Sequence, residues 1–61
     1  MSTADIALAE RGIVDAVQHL RAAQKALEMV GRPDLANKCG VSIDNLVASI
    51  LEIRQAKAVA A

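Results

Sequence analysis

The run V-G-R-P-D at positions 30–34 constrains the fold more than any other stretch of this 61-residue chain. Gly31 stands where a helix ends by turning left-handed, a conformation glycine adopts without steric cost. Two residues on, Pro33 brings the fixed φ and missing N–H that the first turn of a helix tolerates, and Asp34 places a negative charge at the new N-terminus. The run therefore reads as a tight connection between two helices. A connection this short makes its helices antiparallel neighbours.

Upstream of it, Ser2 or Thr3 can cap a helix, with Asp5 close behind. Ile6, Ile13, Leu20 and Leu27 recur every seven residues, and Ala9, Ala16, Ala23 and Val30 follow each by three, the a/d spacing of a helix-packing stripe. Val17 widens that stripe. Downstream, Cys39, Ile43, Leu46, Ile50 and Ile53 alternate steps of three and four, with Val47 beside them. These patterns predict an antiparallel two-helix hairpin, about 4–29 and 33–59, forming one all-α domain over 1–61. With the turn near residue 32, positions whose numbers add to about 64 should lie opposite each other. The tail A-K-A-V-A-A offers little to bury and is expected to fray.

The small residues carry a second period of seven. Ala9, Ala16 and Ala23 on the first arm, and Ser42, Ser49 and Ala56 on the second, would let backbones approach closely.

Gly40 poses a choice. It costs a continuous helix about 1 kcal/mol relative to Ala, and the stretch from Asp34 to Leu51 resembles the helix-turn-helix motif of bacterial repressors. Ala36 matches that motif's small residue, Gly40 its turn glycine, Val41 the apolar residue after it, and Leu46 and Ile50 the apolar positions of the recognition helix. The resemblance implies a small DNA-binding regulator with a helix-turn-helix at 34–51, Ser42 as N-cap, and Lys38, Ser42 and Asn45 as DNA contacts. Chemistry opposes it: a reading helix wants cations and amides near its start, and Asp44 stands there instead. The stripe also keeps its phase across Gly40, as one continuous helix requires.

Composition narrows the function classes. Seven basic and seven acidic residues leave no net field to gather the chain on nucleic acid. The absence of Phe, Tyr and Trp removes base-stacking platforms and membrane-interface belts. No uncharged apolar run is long enough to span a bilayer. One Cys and one His cannot supply a zinc site, and the register puts Cys39 and His19 about 9 Å apart along the hairpin, too far for a catalytic pair. Cys39 is expected to be a buried small hydrophobe. No catalytic, cofactor or metal residues are assigned. An early pair of acids and the lack of a secretory-type apolar segment favour a cytoplasmic protein.

A chain this small buries too little apolar surface to offset its chain entropy comfortably, and with one Cys the usual internal staples are missing. A second copy of itself is the expected supplement, giving a homodimeric four-helix bundle. The resulting expectation is a non-enzymatic interaction module that partners itself and another protein, without membrane contact and with nucleic acid as the lesser partner.

Overall fold

The computed structural model describes residues 2–60, which form two helices, α1 Thr3–Met29 and α2 Pro33–Ala60. Both boundaries follow from local chemistry. Ser2 is the N-cap of α1, its Oγ accepting from the Asp5 N–H at 3.2 Å, which satisfies one of the donors a helix start leaves unpaired.

At the other end Gly31 takes a φ of +76°. That left-handed step lets the Arg32 N–H reach back to the Leu27 carbonyl at 2.8 Å and the Gly31 N–H to the Glu28 carbonyl at 3.1 Å, the paired closure of a Schellman end. The next helix then begins at once: the Arg32 carbonyl accepts from the Ala36 N–H at 3.1 Å. The Arg32 guanidinium meets the Asp34 carboxylate through two bonds of 3.0 and 2.9 Å. This contact holds the fully exposed Asp34 carboxyl below the ordinary carboxylate range. If the pairing is lost in the unfolded chain, its contribution is present above the unfolded pKa and fades as pH falls through the folded one.

The chain does not turn at Gly40. α2 passes through it unbroken, so Ser42 lies within a helix instead of starting one, and the geometry of a helix-turn-helix is not formed. The predicted register also holds. Glu10 meets Arg54 at 3.9 Å, and a Cβ built on Gly40 would stand 3.2 Å from Nε2 of Gln24; in both pairs the residue numbers add to 64.

The hairpin is long and thin, with extents of 47 × 16 × 10 Å and a radius of gyration of 14.3 Å. A globular domain of this length has about 10.5 Å. Only Ile6, Val17, Ala36 and Ile43 are buried among the described residues, because two helices can shield no more than the line along which they touch.

Candidate functional site

The line of contact differs from the predicted stripe in one respect. On α1 the partners of Ile6, Ile13 and Leu20 stand four residues on, at Glu10, Val17 and Gln24, all of them buried or half-buried. Ala23 and Val30, three residues after Leu20 and Leu27, are exposed. Sequence reasoning passed over Glu10 and Gln24 because polar side chains do not register in an apolar pattern. Gln24 earns its place by reaching across: its Nε2 donates to the Ala36 carbonyl on α2 at 3.2 Å. Gly40, one turn beyond, leaves room for that amide, and Ala36 beside it is the most deeply buried of the described residues, at 3%. The bond gives the half-buried Gln24 amide a partner within the hairpin.

Each residue advances about 100° around a helix, and the burial pattern shows which way each side chain leans. Relative to the buried Ile6 and Val17, the half-buried Ile13, Leu20 and Leu27 are rotated to one side, and Ala9 and Ala16 further the same way. On α2, Cys39, Leu46 and Ile53 are half-buried and rotated in the same sense from Ala36 and Ile43, with Ser49 further on. Because the arms run in opposite directions, one rotational sense carries both sets to the same broad side of the hairpin. That side is apolar and unshielded.

It is also uncharged. Between Ile6 and Leu27 on α1, and between Leu35 and Ala56 on α2, no Asp, Glu, Lys or Arg turns toward it among the described residues. His19 and Lys38 stand at its outer edges, Asp5 and Lys57 near its open end. The opposite broad side carries Glu10, Arg21, Lys25 and Glu28 from α1 and Asp44 and Arg54 from α2. The interhelical ion pair and the Gln24 bond both lie toward this charged side.

The predicted core residues divide accordingly. Ile6, Val17 and Ile43 are buried in the contact line, while Ile13, Leu20, Leu27, Leu46, Ile50 and Ile53 are half-buried. Cys39, expected to be buried, is also only half-buried, since it leans toward the open side. Val47 departs from the predicted stripe: it is 41% exposed and stands on the charged side, one residue and about 100° from Leu46. Leu51, 55% exposed, lies beside it, and Val41 and Val59 point from the outer back of α2. The two runs of small residues divide: Ala23, Ser42 and Ala56 are exposed, while Ala9, Ala16 and Ser49 are half-buried beside the contact line.

The positions proposed for DNA contact, Lys38, Ser42 and Asn45, are all exposed. They follow one another at helical spacing on the outer part of α2, and the Asn45 carbonyl accepts from Ser49 Oγ at 3.0 Å. No group of three or more His, Cys, Asp or Glu that could hold a metal ion occurs among the described residues. No helix there is long and apolar enough to cross a membrane. No protein-family model, curated protein or solved structure matches the chain.

Proposed function

We propose that this chain is a non-enzymatic interaction module that acts as a homodimer, two hairpins packing their uncharged sides together into a four-helix bundle. The observation that carries the reading is that side itself, where Ile13, Leu20 and Leu27 of one arm and Leu46 and Ile53 of the other are left half-exposed together. Isolated exposed apolar residues need no explanation, but a contiguous uncharged stripe along a whole molecule does.

The magnitudes agree. The chain exposes 4567 Å², whereas a compact monomer of its 6.4 kDa mass exposes about 3,800 Å². The excess, about 800 Å², is what each partner of a standard-sized interface covers. Dimerisation through this side leaves the charged side, with Val14, Val47 and Leu51, facing outward for a further protein. The module would then serve as an adaptor or regulator.

Sedimentation equilibrium tests the reading. A dimer mass that falls to the monomer mass in Leu46→Asp supports it. A well-folded monomer at all accessible concentrations overturns it.

A further inference from the structure

Resting on the homodimer reading, we infer that the chain folds only on meeting its second copy, so that its own concentration decides whether either side of the hairpin exists. The shortfall is first one of area. An unfolded chain of this 6.4 kDa mass exposes about 9,300 Å². The hairpin still exposes 4567 Å², so folding alone removes about half of that surface from water, whereas a 60-residue domain that stands by itself removes about 60% and is marginal even then. Covering the uncharged side, about 800 Å² for each partner of a standard interface, brings the share to about 60%. The second hairpin supplies what the first lacks.

Burial shows the same shortfall side chain by side chain. Among the described residues, the contact line takes in only Ile6 and Val17 from α1 and Ala36 and Ile43 from α2, and one of these is an alanine. Leu20 and Leu46, which a core would enclose, are only half-buried. The links across the arms do not compensate. Glu10 and Arg54 stand 3.9 Å apart with the Arg54 side chain mostly exposed, a geometry that contributes little, and the Gln24 amide makes a single bond to the Ala36 carbonyl. Cys39 is the one cysteine, and no metal-holding group occurs among the described residues, so no staple takes the place of a core. Gly12 and Gly40 stand within the helices and weaken each arm as an isolated helix, whose stability comes mostly from a packed face.

This dependence is a regulatory device. Where folding and pairing are one step, the folded population follows the chain's own concentration by mass action. Below the dissociation constant the number of dimers rises as the square of that concentration. The charged side, which faces outward for a further protein, is therefore presented in quantity only above a threshold. Single chains, having no fixed surface, do not compete for the same partner.

Urea titrations at several protein concentrations, followed by circular dichroism and by sedimentation, test the coupling. Helicity and dimer mass should be lost in one shared transition, with a midpoint that rises by about 0.5–1.4 M urea for each tenfold increase in concentration. A dimer in water that loses its mass before its helicity, or whose helical midpoint ignores concentration, reveals a folded monomer. That result overturns the coupling and leaves self-association standing. A monomer mass at every concentration overturns both.

Discussion

The two broad sides of the hairpin are built from the same two helices and differ by less than half a turn around each, yet they follow opposite rules. One is apolar, uncharged and corrugated by alternating large and small residues. The other is crossed by charges and, among the described residues, by two polar links between the arms, Glu10 to Arg54 and Gln24 to the Ala36 carbonyl. The hairpin is thus latched on one side and left open on the other. Polar groups hold the register where water can reach them, and the apolar surface that a two-helix unit cannot cover is gathered on one side, where a second hairpin can.

A charge placed on each side separates them most sharply. Leu46→Asp on the uncharged side should abolish the dimer, because burying an unpaired carboxylate costs several kcal/mol. The affinity should fall at least about 100-fold, with helicity lost as the monomer melts. Val47→Asp, one residue on and facing the charged side, should keep the dimer mass. Circular dichroism and sedimentation on the pair read both effects; equal losses from the two variants would erase the distinction between the sides.

Adding bulk to the uncharged side is the next strongest intervention. Ala16→Leu enlarges a half-buried position there, and overpacking against a second hairpin costs about 1–3 kcal/mol, seen as weaker dimerisation with helicity retained at high concentration. Ala22→Leu, on the exposed back of α1, should change the dimer constant by less than a factor of two or three, within the range of ordinary surface substitutions.

Much of this was legible in the residues alone. Gly31 and Pro33 mark the turn by backbone conformation, a local property that needs no tertiary knowledge, and they fix the register that Glu10 and Arg54 display. The unbroken passage through Gly40 follows from the phase shared by Cys39, Ile43 and Leu46. The sidedness was harder to see. Ala9, Ala16 and Ala23 look like members of a contact stripe because alanine is compatible with contact, furrow or surface alike. Glu10 and Gln24 look like surface because their burial depends on partners 44 and 12 positions away. Hydrophobicity alone assigns Val47 to the core stripe, though a single 100° step sends it to the other side. Polar residues that pair across the arms, and small residues that suit contact and surface equally well, are the two kinds of information that a one-dimensional period does not carry.

The latch itself offers a smaller and more exact comparison. Gly40→Ala should gain about 1 kcal/mol from helix propensity, but its Cβ would come within 3.2 Å of Gln24 Nε2. The amide must then shift, weakening a bond to the Ala36 carbonyl worth about 0.5–1.5 kcal/mol. The two effects nearly cancel, so G40A alone should be close to neutral in urea denaturation at fixed protein concentration.

In a Gln24→Ala background nothing opposes the new methyl group, and the same substitution should recover most of the full 1 kcal/mol or so. The double-mutant cycle therefore closes with a coupling of about 0.5–1 kcal/mol. A G40A gain that is the same with and without Gln24 would mean the glycine is not there to admit the amide.

The least effect belongs to the other link on that side. Arg54 and Glu10 stand 3.9 Å apart, with the Arg54 side chain 62% exposed, so solvent and salt screen the pair and Arg54→Ala should cost no more than about 0.5 kcal/mol. That small loss should vanish in high salt, where exposed pairs are screened, while the dimer constant, which depends on the uncharged side, should hold or strengthen. Opposite salt responses of the two quantities in one set of titrations would show that latch and interface are physically separate. A dimer constant that weakens with salt would place charge in the interface and break the division between the sides.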